Sequence, residues 1–244
     1  MATNVTEREE AGRGATRSSF LVELYRSAVG KKYVMAITGI VWMGYVFAHM
    51  VGNLKVYLGP ESVDHYGEWL RSGLLVPILP NEGALWSLRL VLAVALVLHV
   101  VAAYQLTMMN RNARPEAYRS KRDFVAADFA ARTMRWTGVI VFLFVLYHLA
   151  DFTFGWVNPE FEHGEIYSNF VTSFERPVVA AFYLLANAAL GVHLYHGSWS
   201  LFQSMGWNNR RFNHWRRGFA IAFTLVVVAG NLSFPVAVQF GIVS

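Results

Sequence analysis

A bilayer's hydrocarbon core is about 30 Å thick, and a helix needs about 20 residues to cross it. Five stretches of this chain meet that length: roughly 31–58, 85–109, 133–157, 176–206 and 214–243. Any one of them could be a buried helix of a soluble domain; five in 244 residues could not. The rest of the composition agrees, since only 15% of residues are charged, against about 25% in soluble domains. The expected fold class is all-α and integral to a membrane: five transmembrane helices in one bundle over 18–244, after a polar tail over 1–17 that is expected to be disordered. No internal repeat and no second domain are read from the sequence.

The connecting segments suggest how such a bundle would sit. No cleavable signal peptide is visible, and "SSFLVELYRSAVG" (18–30) mixes apolar with charged residues, as a short interfacial helix does. All but four of the 21 Lys and Arg fall before the first span, between the second and third, or between the fourth and fifth. Basic loops stay in the cytoplasm, so the N-terminus is expected inside and the C-terminus outside. That asymmetry also accounts for a pI near 9.6 without nucleic acid as a partner. Trp86, Trp136, Trp156, Trp199, Trp207 and Trp215 lie near span ends, as an interfacial aromatic belt requires. On the outer side, "ESVDHYGEWLRS" reads as a surface helix within a long loop.

The chemistry lies with histidine. The chain has eight histidines and no cysteine, which excludes disulfides and thiolate-held zinc or iron–sulfur clusters built from this chain alone. His65, His163 and His214 fall in loops. His49, His99, His148, His193 and His196 lie inside apolar spans, where ionisable side chains are rare and usually functional. From the rise of a helix, His49 lies about 26 Å and His148 about 22 Å above the inner ends of their spans, while His99 lies about 21 Å and His193 about 24 Å below the outer ends of theirs. Depth therefore sorts them into an outer pair, His49 with His148, and an inner pair, His99 with His193. Two imidazoles from facing helices are the ligation of a six-coordinate b-type haem, and two such pairs imply two haems stacked across the membrane. Zinc fits poorly because each level lacks third and fourth ligands. Glycines 39, 44, 52, 191 and 197 offer close approach for a macrocycle.

Lys55 and Arg89 are the better candidates for the outer haem propionates, with Arg71 and Arg176 also on that side. Arg17, Lys31 and Arg111 are available to the inner haem, and His196, one turn inward of His193, is expected near the inner haem edge or a quinone. A quinone needs an apolar slot with polar groups for its carbonyl oxygens. Ser27 and Lys31 could supply them on the inner side, which is slightly preferred; Asp64, His65, Glu68 or Asp151 could on the outer.

The four segments "FAHMVGNLKVY", "LVLHVVAAY", "VFLFVLYHLADFTFG" and "GVHLYHGSWSLFQSMGW" resemble the histidine-bearing helices of the di-haem cytochrome b membrane anchor of succinate dehydrogenase/fumarate reductase, respiratory complex II, in the class with a single five-helix anchor polypeptide. The resemblance covers the chain from about residue 20, and the H-x-x-x-G-x-W-S run of the fourth span is its most specific part. It implies the same pairing of haem ligands, with none on the fifth helix. It implies a flavoprotein subunit and an iron–sulfur subunit docked on the cytoplasmic side. Electrons would run from succinate through the clusters and both haems to a membrane quinone, usually menaquinone, or in reverse, and the setting would be the plasma membrane of a prokaryote. Some members carry a glutamate two residues before the fourth-span ligand; Gly191 stands there here, so a glutamate-based proton path is not implied. Two other readings stay open: a di-haem anchor of hydrogenase or formate dehydrogenase type, and a haem-free membrane anchor or transporter.

Overall fold

A computed structural model describes residues 19–76, 78–113, 129–207, 209 and 213–244. The tail over 1–17 and the basic residues Arg17, Arg114, Arg119, Lys121, Arg122, Arg210 and Arg211 lie outside the described residues. The described part is all-helical: α1 (Phe20–Arg26), α2 (Ala28–Asn53) with a 3₁₀ turn at Leu54–Leu58, α3 (Pro60–Ser72), α4 (Gly83–Asn112), α5 (Phe129–Phe152), α6 (Ile166–Glu175), α7 (Pro177–Ser204) and α8 (Asn213–Gln239). Five of these, α2, α4, α5, α7 and α8, are long and apolar enough to cross a membrane. α3 and α6 lie together at one end of the bundle, called the outer end here, and α1 packs on α2 at the other, the inner end.

Local chemistry sets the boundaries. Ser27 separates α1 from α2: its hydroxyl donates to the Leu24 carbonyl at 2.6 Å and accepts from Gly30 N–H at 3.0 Å, closing one helix and capping the next. The interfacial helix is thus shorter than the expected 18–30, and the spanning helix begins at Ala28. Gly59, at φ 94°, ends the 3₁₀ turn in a conformation that favours glycine, and Pro60 opens α3. The third span stops at Phe152, short of the expected 157, and the chain then turns through 153–156.

α7 is the central helix, with Ala180, Tyr183, Ala186, Asn187, Leu190, Gly191, Leu194 and Ser198 all buried. It packs most extensively on α8 and α5, while α4 packs mainly on α2. Small residues permit these approaches: a Cβ on Gly191 would lie 2.9 Å from Val228 Cγ2 on α8, and one on Gly230 would run into Met50. Facing outward are Val97, Leu143, Val178, Leu185 and Leu225, well-exposed aliphatics suited to lipid. At the outer end Met50, Val56, Phe170, Phe174, Tyr183 and Phe234 form one apolar cluster.

α6 is a helix the sequence reading did not anticipate. Asp64 of α3 places its Oδ1 2.9 Å from Ile166 N–H and 3.0 Å from Tyr167 N–H, so a carboxylate from a helix distant in sequence satisfies the first free donors of α6. Gln239 fastens the other end, donating from Nε2 to the Phe174 carbonyl at 2.6 Å.

Candidate metal centre

Four of the five span histidines meet as two couples. His49 on α2 faces His148 on α5, with ring centroids 5.8 Å apart and planes at 85°. His99 on α4 faces His193 on α7, at 6.4 Å and 61°. Metal–imidazole bonds are about 2.0–2.1 Å, and with each ring centre about 1.1 Å behind its nitrogen an ion held in line between two rings needs centroids about 6.3 Å apart. Both couples stand close to that spacing. The helices that carry each couple are not among the closely packed pairs: α2 is packed on α4, and α5 on α7. The couples therefore form where two helical hairpins confront each other.

Hydrogen bonds fix how three of the rings present themselves. Thr38 Oγ1 donates to the Val34 carbonyl at 2.7 Å and lies 3.0 Å from His99 Nδ1. With the hydroxyl proton given to that carbonyl, the tautomer that completes the contact has His99 donating from Nδ1, which leaves the Nε2 lone pair free. Thr137 repeats this on the other hairpin, donating within its own helix to the Met134 carbonyl at 3.1 Å and standing 3.5 Å from His193 Nδ1. At the outer level Tyr183 donates to Asp151 Oδ2 at 3.0 Å, and its oxygen lies 3.4 Å from His148 Nδ1. That imidazole also offers Nε2. A proton held on one ring nitrogen and a lone pair on the other is what a metal ligand requires. His49 stacks on Tyr45, with centroids 5.3 Å apart and 15° between planes.

Among the described residues, no group of three or more His, Asp or Glu could hold a metal ion. The two-ligand sites are thus unsuited to tetrahedral zinc and fit a group whose remaining ligands it brings itself. Glycines make room beside the inner rings. A Cβ on Gly39 would stand 3.6 Å from His99 Cε1, and one on Gly138 would stand 3.4 Å from His193 Cε1.

These supports correct the reading of no internal repeat. Met35, Thr38, Gly39 and His49 recur as Met134, Thr137, Gly138 and His148, each 99 residues further on. Each hairpin thus uses the helix of its outer histidine to hold its own inner histidine. The pattern is Met-x-x-Thr-Gly followed by His, ten residues after the glycine. Thr38, Thr137 and Tyr183 were all missed by the sequence reading.

No family model, no curated protein and no solved structure matches this chain.

The other candidates are scattered. At the outer end Lys55 lies over the Tyr66 ring at 5.4 Å, and Arg89 over the Trp86 ring at 4.9 Å. Arg71 is exposed on α3. Arg176 is paired with Asp151 at 2.9 Å, so its charge is already matched. Lys55, Glu61, Ser62, His65, Tyr66 and Trp69 line an open groove beside the 3₁₀ turn and α3. Glu68 is exposed on the same helix, and Asp64 is engaged at the start of α6. Asp151 is fully buried. At the inner end Lys31 folds back over the Tyr25 ring and donates to the Tyr25 carbonyl at 2.7 Å, closing the end of α1. Ser27 serves the same corner. Arg111 is exposed at the end of α4, and His196 stands edge-on to Trp199, 6.1 Å away.

Proposed function

We propose that this chain is the di-haem cytochrome b anchor of a succinate:quinone oxidoreductase, multi-pass in the plasma membrane of a prokaryote. The observation that carries the reading is the pair of facing histidine couples, 5.8 and 6.4 Å between centroids, with Nδ1 of three rings occupied. A b-type haem bound at each couple would supply a one-electron carrier. The chain's own work is then positional. His49 and His148 hold the outer iron, His99 and His193 the inner, and Thr38, Thr137 and Tyr183 aim three of those ligands. Lys55 and Arg89 are the outer cations available to propionates, and His196 is the inner group, Lys31 being engaged with the Tyr25 carbonyl.

The basic inner end is proposed as cytoplasmic, with the iron–sulfur and flavoprotein subunits docking there beside α1. For the quinone, the outer groove is the better-supported place. Its Lys55, Ser62 and His65 face open space, whereas Ser27 and Lys31 spend their polar atoms on the corner between α1 and α2. The direction of catalysis does not bear on any of these assignments.

The test is spectroscopic. The chain purified from membranes after dithionite reduction is expected to show two b-type haems by haemochrome assay. His99→Ala or His193→Ala is expected to leave one. A colourless wild-type protein overturns the haem reading. A two-haem protein that co-purifies with hydrogenase or formate dehydrogenase subunits, and shows no succinate–quinone activity, overturns the choice of enzyme.

A further inference from the structure

Asp151 is a carboxylate with no exposed surface, one turn beyond His148 on α5. It accepts three hydrogen bonds: from Ser173 at 2.6 Å and Tyr183 at 3.0 Å on Oδ2, and from Arg176 Nη2 at 2.9 Å on Oδ1. Arg176 is held in turn by the Val157 carbonyl at 2.6 Å and Ser173 Oγ at 2.8 Å. The Tyr183 ring is wedged edge-on against Phe144 and Phe174, with centroids 5.1 and 5.0 Å away. Its hydroxyl therefore has one place to be, between Asp151 and His148.

The inner level is built differently. The hydroxyls behind His99 and His193 give their protons to backbone carbonyls, which are neutral acceptors. The hydroxyl behind His148 gives its proton to a carboxylate. Hydrogen bonds to an ionised acceptor are about twice as strong as neutral ones, and they leave the donor oxygen richer in electrons. That oxygen is in turn the better acceptor for the imidazole N–H, and a ligand whose N–H is so engaged is more basic toward its metal.

We propose that Tyr183 and Asp151 form a positioning relay behind His148, giving the outer iron one anion-backed ligand where both inner ligands are backed by neutral groups. This deepens the haem reading above and rests on it. A more basic ligand favours the oxidised metal, so the relay holds the outer haem's potential below the value a neutral partner would give. Arg176 faces Oδ1, while Oδ2 accepts from both Ser173 and the tyrosine, so the ion pair orients the carboxylate without occupying the oxygen that Tyr183 uses.

The experiment is a redox titration of both haems in the intact membrane complex, with low-spin EPR signals assigned to each. Tyr183→Phe is expected to raise the midpoint of the outer haem and shift its EPR signal, leaving the inner haem unchanged. Asp151→Asn keeps an acceptor for the tyrosine but removes the charge, and is expected to move the same haem in the same direction. Thr38→Val is the counterpart, moving only the inner haem. A wild-type chain without haem sinks the underlying reading and not the relay alone. Two retained haems with both midpoints unmoved in Tyr183→Phe and Asp151→Asn overturn the relay, as do equal shifts of both haems. If Tyr183→Phe fails to assemble, Asp151→Asn decides.

Discussion

A threonine in a helix usually turns its hydroxyl back to the carbonyl of the preceding turn, and Thr38 and Thr137 do so. Their second contact, to the imidazoles of His99 and His193, makes them more than helix residues. Loss of such a support costs about 10–100-fold in metal affinity, so Thr137→Val is expected to bind the inner haem at least about tenfold more weakly. Haem titration of the apoprotein, with the outer site as internal reference, measures it; equal affinity at both sites would show that the contact at 3.5 Å does nothing. The histidines were legible in the sequence because an ionisable group in an apolar run stands out and helical rise converts position into depth. The threonines were not, because a back-bonding threonine in a span is unremarkable until its neighbour on another helix is known. Tyr183 was hidden for a related reason: an aromatic at helical spacing looks like packing, and here it is packing and hydrogen bond together.

The five spans were readable as elements because their length and apolarity need no partner to be recognised. α6 was not, because it depends on Asp64, 102 residues before it, for the bonds that begin it. N-cap carboxylates and hydroxyls are worth about 0.5–2 kcal/mol against alanine. Asp64→Ala is accordingly expected to loosen α6 by about that much, and limited proteolysis in membranes would report it as faster cleavage near Ile166. Unchanged cleavage would mean that α6 is held by its apolar face and Gln239 without help from Asp64. Helix contacts deep in the bundle follow a different rule. Gly191 lets α7 approach α8, and a Cβ there would press on Val228. Overpacking costs about 1–3 kcal/mol, so Gly191→Val is expected to lower the thermal stability of the detergent-solubilised protein, with Val228→Ala restoring part of it. Ser27 and Lys31, expected from sequence as polar groups for a quinone, build a corner between α1 and α2 in the structure. Their spacing near a span end suits either role, and only the path of α1 distinguishes them.

At the scale of the molecule, the absence of cysteine makes topology directly measurable. A single cysteine at Ser244 is expected to react with a membrane-impermeant maleimide on intact cells, and one at Ser19 only after permeabilisation; the reverse pattern would invert the proposed orientation. The hairpins α2–α4 and α5–α7 each carry one member of the outer couple and one of the inner couple. No complete site belongs to either hairpin. Severed between them and co-expressed as two polypeptides, the chain should recover its colour only when both fragments share a membrane, and neither should be coloured alone. Pigment would then act as a rivet between two separately inserted halves, so that a cell short of iron-porphyrin would accumulate paired hairpins awaiting closure, not a finished bundle awaiting a passenger.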